Sequence, residues 1–453
     1  MDALNPQSPA SNPSDERKDK QPVPFERRRR NFHEFKGKIH QAVINKIDLD
    51  LLVKFDSQTA HVEVAKIVNQ LINQSSEPLS LSEKQMLVEE VVNETFGLGP
   101  LEPLLADPSV DDILVNDYCT VFIERRGKLV KTDVAFKDNS HLRHIINRIV
   151  SKVGRRIDES SPMVDARLAD GSRVNAVIPP LALNGPSLSI RRFKKIPFKP
   201  DDYVRNGAIS LEMLELLKTA VHSRMNIIVS GGTGAGKTTL MNVISSSIPP
   251  EERIITIEDA AELQLQQPHV VRLETRPPNV EGKGGITQRE LFINTLRMRP
   301  DRIIVGEVRS VEALEMLQAM NTGHDGSMTT VHANTPRDAI TRIETMVMMG
   351  SNLDQVAIRR QIASAIQLIV QVKRYPDGVR RIESICEITG MEQNVISMQD
   401  IAGFVVKGMG PDGKIIGDFA MHAIRPKFIN RARDMGTLSR DDEVRYKAFK
   451  GAA

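Results

Sequence analysis

The chain has 453 residues, 40% of them hydrophobic, enough for two or three globular domains that each bury a core. Its 61 basic residues are nearly balanced by 58 acidic ones, a net charge of +3, so the global balance gives no support to electrostatically driven nucleic-acid binding. Cys119 and Cys386 stand far apart, which argues against a disulfide framework or a cysteine zinc site and fits a reducing cytoplasm.

No apolar run approaches the roughly 18 residues of a membrane span, and the first residues lack a hydrophobic signal core. Membrane contact is expected only through a partner. Residues 1–30 are rich in Pro, Ser, Asn and charge and end in the basic run Arg27-Arg28-Arg29-Arg30, which predicts a disordered tail. A solvated charge cluster is preferred there over a lipid or membrane-protein contact.

Over 31–96 three sets recur at helical spacing: Phe32, Phe35, Ile39, Val43 and Ile47; His61, Ala65, Val68 and Ile72; Leu87, Val88, Val91 and Val92. They predict a three-helix bundle. Ser80-Leu81-Ser82-Glu83 is a capping box, and Gly97-Leu98-Gly99-Pro100 is a stop.

Over 97–193 the pattern turns to strands at Ile113–Val115, Val121–Ile123 and Leu129–Val130, with Arg126-Gly127 as a turn. A helix capped by Ser140 carries Ile145, Ile146, Ile149, Val150 and Val153. A hairpin of Met163–Leu168 and Arg173–Ile178 turns at Asp170-Gly171, and Ser187–Arg192 adds a strand. This is an α+β domain. Two prolines in Lys194–Pro200 predict an extended linker and hinge over 194–205.

From 206 to 425 strands at Ile227–Val229, Ile254–Ile257, Ile303–Val305, Met328–His332 and Leu368–Val372 alternate with helical segments such as Val311–Met320 and Pro336–Met349. The class is α/β, with a mostly parallel sheet covered by helices on both faces. Residues 426–453 return to charged sequence and predict a tail or surface helix. Methionines cluster at Met316, Met320, Met328, Met346, Met348 and Met349, read as adaptable core or interface filling.

The chemistry concentrates at Gly231-Gly232-Thr233-Gly234-Ala235-Gly236-Lys237-Thr238-Thr239, which fits G-x-x-x-x-G-K-[ST] between a strand and a helix. Glycines let backbone N–H groups surround phosphates, Lys237 neutralises the terminal phosphate, and Thr238 offers a hydroxyl to Mg²⁺. The expected ligand is ATP. Glu307, ending the strand after Gly306, is the first choice for general base. Glu258 and Asp259 end a second strand, and either could orient water or metal. Gly306 stands where many such enzymes place an aspartate, which leaves metal ligation from this strand open. His324 and His332 flank a further strand and predict a phosphate-sensing loop, preferred over a zinc site.

The phosphate loop, the Ile257-Glu258-Asp259 box, the Val305-Gly306-Glu307 strand end and the His324–His332 box together resemble the secretion-ATPase superfamily, which powers type II and type IV secretion and type IV pili. Ser161–Pro180 and Gly185–Phe193 resemble the CpaF-type ATPase of tight-adherence (Flp) pili. The likeness covers about Phe96 to Arg425 and lacks the four-cysteine zinc module of many type II members. It implies a RecA-like core preceded by a smaller α+β (PAS-like) domain and a helical bundle. It also implies a homohexamer using ATP and Mg²⁺, with Arg167, Arg173 and Arg191 reaching the phosphates as fingers or clamps.

The implied work is pilus assembly, possibly with retraction, beside inner-membrane platform proteins, in the cytoplasm at the inner face of the bacterial inner membrane. No direct nucleic-acid contact is expected. Its rivals are a type IV secretion or DNA-transfer ATPase and a nucleotide-gated scaffold that does not hydrolyse.

Overall fold

The structure, a computed structural model, describes residues 35–43, 46, 57–75, 77–125, 127–193, 199–278 and 283–438. The expected tail over 1–30, Phe32, Ile47, Arg126, the linker residues 194–198 and the last residues from 439 lie outside the described residues. The chain divides into two compact units, Met1–Arg192 and Phe193–Ala453.

In the first unit, helical residues 35–43 pack with the helices Ser57–Gln74 and Leu81–Phe96. Their shared core is Ile39, Val43, Val64, Val68, Ile72, Leu87 and Val91, an i, i+4 stripe on each helix. The third helix starts at the Ser80–Glu83 capping box and stops at Gly97.

Next come β1 (Val110–Asp117), β2 (Thr120–Arg125), β3 (Lys128–Lys131), β4 (Met163–Arg167), β5 (Arg173–Val177) and β6 (Ser187–Arg191), a sheet in the order β3-β2-β1-β6-β5-β4. Its pairings are all antiparallel. Alternate residues Ile113, Val174, Leu188 and Ile190 cluster with Leu142, Ile145, Ile146 and Ile149 of the helix Asn139–Lys152, and the other sheet face carries the pair Leu114 and Phe122 among polar and charged side chains. The cap of that helix is Asp138 rather than Ser140. Asp138 is extended and its carboxylate accepts the His141 N–H at 2.8 Å, whereas Ser140 already lies inside the helix.

The second unit opens with a short helix, Pro200–Arg205, where an extended linker was expected. Pro200 presets its first turn, Asp202 accepts the Lys199 N–H at 2.9 Å, and Tyr203 is buried in the core. Its sheet comprises β7 (Ile227–Gly231), β8 (Ile254–Glu258), β9 (Val270–Glu274), β10 (Arg302–Val305), β11 (Met328–Val331), β12 (Leu368–Arg374), β13 (Arg380–Glu392), β14 (Val395–Met409) and β15 (Ile415–Met421). The order is β15-β14-β13-β12-β7-β11-β10-β8-β9.

From β12 to β9 every pairing is parallel, and β12-β7-β11-β10-β8 is the RecA-like order. β7, β8, β10 and β11 are buried along their whole length because helices cover both faces. On one face Ile227 and Val229 join Leu217, Leu240 and Ile244. On the other Ile228 and Ile303 join Leu317, Ile343 and Ile362. Each such fully buried aliphatic side chain contributes roughly 1.5–3 kcal/mol.

The antiparallel extension β13–β15 was not anticipated. Register shifts at Ile385/Cys386, Ile388/Gly390 and Val406/Gly408 break the two-residue alternation that would have revealed it. The C-terminal helix Phe428–Asp434 is also more than surface, since Phe428, Ile429 and Ala432 are buried. Glu387 on β13 accepts the N–H groups of Lys427 and Phe428 at 2.9 and 3.0 Å, fixing the start of that helix.

Candidate functional site

β7 delivers the chain to Gly231, and the helix Lys237–Ser245 begins six residues later. Gly234 and Gly236 turn the loop with φ of +68° and +98°, values that disfavour any side chain. At Gly231 the constraint is contact: a Cβ would stand 2.5 Å from the Val372 carbonyl of β12. The result is a loop of peptide N–H groups at a helix N-terminus, an anion cradle. Lys237 Nζ, half-buried, donates to the carbonyls of Gly231 and Gly232 at 3.1 and 3.2 Å, so its charge lies across the loop mouth. Burial pulls its pKa below the ordinary lysine value, while Glu307 and Glu262 oppose that shift. Thr238 Oγ1 donates to Glu262 Oε2 at 3.3 Å.

The acids separate by role. Glu307, after the buried β10, meets Arg309, whose Nε and Nη2 donate to Oε2 at 2.9 and 2.5 Å. Asp259 is exposed, 3.4 Å from Arg309 Nη1. Glu258, expected to orient water or metal, engages its own loop through one carboxylate oxygen. It is 2% exposed, and its Oε2 accepts the N–H groups of Glu262 and Leu263 at 2.7 and 3.0 Å. Burial pushes its carboxyl above the usual range. These two bonds shape the loop that presents Glu262.

The same side chain explains Gly306. A Cβ at 306 would lie 2.9 Å from Glu258 Cγ and 3.3 Å from Oε2, so an aspartate has no room there. Gly306→Ala should force Glu258 off its two N–H partners, at a cost of about 1–3 kcal/mol. Thermal unfolding should show a melting temperature lower by about 2–4 °C for each kcal/mol. An unchanged melting temperature would remove this account of the glycine.

His332 follows β11, whose Val331 pairs with Ser230 beside the loop. Burial lowers its pKa, Lys237 adds to this and Glu307 opposes it, a net shift that favours the neutral imidazole. His324 does not share the site. Met328 pairs with Ile227, so the parallel register puts His324, four residues earlier, beyond the opposite, amino-terminal end of the strands. There Ser327 Oγ donates to its carbonyl.

Lys237, Thr238, Glu262, Glu307, Arg309 and His332 therefore meet at one end of the parallel sheet. Glu262 and Arg309 were missed in the sequence. Glu262 lies on an irregular loop with no period to mark it, and its only signal is the third acid in Glu258-Asp259-Ala260-Ala261-Glu262. Hydroxyl and carboxylate oxygens are the hard donors Mg²⁺ prefers, and Thr238 already faces Glu262, so the residues present fit that ion. Among the described residues no group of three or more His, Cys, Asp or Glu forms a separate metal site.

In the first unit Arg167 pairs with Arg173 and Arg173 with Arg191, directly across neighbouring strands. All three side chains emerge on the face away from Val174 and Ile190. Arg191 pairs in turn with Asp112, whose carboxylate is 3.5 Å from its Nε. Arg192 points the other way and donates to the Asp107 carbonyl.

Comparison with known proteins follows the same lines. Residues 94–409 match the family described as type II/IV secretion system protein. A putative conjugal transfer protein of Mycobacterium tuberculosis is 38% identical over 331 residues, covering 72% of this chain and 93% of the relative. The conjugal transfer protein TrbB of Rhizobium radiobacter is 35% identical over 294 residues, 64% of this chain and 87% of its own. The type IV secretion system protein VirB11 of Bartonella henselae is 30% identical over 314 residues, 61% and 88%. With its phosphate loop, acids and sheet order inside the matched span, this chain belongs to the type II/IV secretion system protein family.

Proposed function

We propose that this chain binds ATP with Mg²⁺ in the Gly231–Thr239 loop, hydrolyses it, and turns hydrolysis into movement that powers a type IV secretion machine. The observation that carries the reading is the convergence of Lys237, Thr238, Glu262, Glu307 and His332 at the carboxyl end of the parallel strands. In a parallel α/β sheet, ligands bind there.

In the reaction, Lys237 leaves its two loop carbonyls for the terminal phosphate oxygens. Glu307 takes the proton of the attacking water as the oxygen bonds to the γ-phosphorus, and the bond to the β-phosphate oxygen breaks to leave ADP and phosphate. Mg²⁺, when bound, supplies charge neutralisation at the phosphate oxygens, and Thr238 and Glu262 are the residues that would hold it. Neutral His332 offers the terminal phosphate a hydrogen bond. The arginine row Arg167, Arg173 and Arg191 supplies guanidinium groups to phosphates within a homohexamer, a geometry suited to a transferring phosphoryl group.

The relatives' names, conjugal transfer and type IV secretion, favour this machine over the pilus expected from sequence. A tight-adherence pilus motor is the second reading, supported by the likeness of Ser161–Pro180 and Gly185–Phe193 to CpaF-type ATPases. Either machine implies envelope partners, and no described helix is long and apolar enough to cross a membrane. Phosphate release by the purified chain, with and without DNA at several salt concentrations, tests the reading. Turnover stimulated by DNA supports transfer, turnover indifferent to DNA with loss of surface filaments on gene deletion supports the pilus, and absent turnover with retained ATP binding leaves a scaffold.

A further inference from the structure

The phosphate loop is backed from one side by the turn joining β12 to β13, which no motif accounts for. Asp377 organises this turn. Its buried carboxylate accepts the Val379 N–H at 3.0 Å, Arg381 Nη1 and Nη2 at 3.1 and 2.9 Å, and the Ile415 N–H of β15 at 3.1 Å. The hydrogen bonds to Arg381 and to these N–H groups outweigh its burial and hold the carboxyl below the usual range. Arg381 also lies over the rings of Tyr375 and Phe404, 5.3 and 5.0 Å from their centroids. The turn is thus tied to the antiparallel extension on three sides.

Its neighbour Arg380 projects onto the loop. Arg380 Nε donates to the Gly234 carbonyl at 2.8 Å, and its Cδ lies 3.1 Å from where a Cβ on Gly236 would be. Arg374 Nη1 lies 3.9 Å from the equivalent point on Gly234, and the Val372 carbonyl is 2.5 Å from that of Gly231. Three of the four loop glycines therefore face this one hairpin.

The Gly234 carbonyl matters because of peptide geometry. Across a trans peptide the carbonyl and the following N–H point in opposite directions. With the carbonyl held outward by Arg380, the Ala235 N–H is turned into the loop, where it meets the Gly232 carbonyl at 3.3 Å, a weak contact that an anion can replace. Were the peptide to flip, a carbonyl oxygen would face the phosphates instead.

We propose that Arg380 is a positioning residue for nucleoside polyphosphates: it locks the Gly234–Ala235 peptide in its phosphate-binding orientation, and Asp377 makes that lock part of the β13–β15 extension. The inference rests on the reading that this loop binds ATP. It assigns the antiparallel extension a part in nucleotide affinity.

The test is a titration of the full chain with a fluorescent ATP analogue and Mg²⁺, beside thermal melts without and with nucleotide. Wild type, Lys237→Ala, Arg380→Ala, Arg380→Lys and Asp377→Asn are compared. The expected result is a Kd about tenfold higher for Arg380→Ala, equivalent to one charge-assisted hydrogen bond, with the nucleotide-free melting temperature unchanged. Arg380→Lys, which keeps a donor, recovers most of the affinity, and Asp377→Asn shifts Kd the same way by a smaller factor. Wild-type affinity in Arg380→Ala, or a loss matched by an equal fall in nucleotide-free stability, overturns the inference. If wild type binds and Lys237→Ala does not while Arg380→Ala is unaffected, only this inference fails; if wild type does not bind, the ATP reading fails with it.

Discussion

Lys237→Ala is expected to weaken binding of Mg-ATP by roughly 10²–10⁴-fold and to abolish measurable turnover. The ammonium is the one cation that the loop itself supplies, and it is half-buried, where a charge-to-charge hydrogen bond is worth about 1.5–3 kcal/mol. Two such bonds to phosphate oxygens account for that loss at 1.4 kcal/mol per decade. The fold should survive, because the side chain bonds only to two loop carbonyls, Gly231 and Gly232. Calorimetric titration of the variant, with a melt as control, checks both parts. Near-normal affinity in a folded Lys237→Ala variant would move the nucleotide away from this loop.

Glu307→Gln should separate binding from chemistry. A glutamine keeps the shape of the side chain but cannot take the proton from water, and a positioned general base contributes about 10²–10⁴-fold in rate. Phosphate release should therefore fall by that factor while the Kd for ATP stays within a few-fold. The ion pair with Arg309 adds a second expectation. Arg309 grips Glu307 Oε2 through two N–H groups, and Glu307 in turn raises the Arg309 pKa against the effect of burial. In the proposed reaction Oε2 is available to the attacking water only once Arg309 withdraws its two N–H groups. Arg309→Ala should therefore leave Glu307 free of its brake but misplaced, and the double variant should be no slower than Glu307→Gln alone. Single-turnover assays on the three variants read this directly, and normal turnover in Glu307→Gln would remove it from the base role.

Much of the architecture was legible in the sequence for physical reasons. The loop declares itself because it needs glycines at fixed steps, a lysine and a hydroxyl between a buried strand and a helix; β7, β8, β10 and β12 declare themselves by short Ile- and Val-rich runs, and β11, Met328-Thr329-Thr330-Val331, by β-branched residues between turn signals. What stayed hidden depends on three-dimensional neighbours. An acid at a strand end reads the same whether it faces solvent or, like Glu258, turns back to hold its own loop. His324 and His332 look equivalent until the pairing of Met328 with Ile227 shows which end of the strand each occupies. The β13–β15 ribbon escapes because its bulges put consecutive residues out of step with the pleat.

The register of Arg167, Arg173 and Arg191 has a consequence of its own. Side chains directly opposite one another on adjacent strands are about 4.5–5.5 Å apart at Cβ, and like charges so placed repel. Asp112 stands 3.5 Å from Arg191 Nε at one end of this row. The register alone sets three permanent positive charges side by side, so salt or added pyrophosphate, which screens like charges, should raise the unfolding temperature of the first unit within the intact chain.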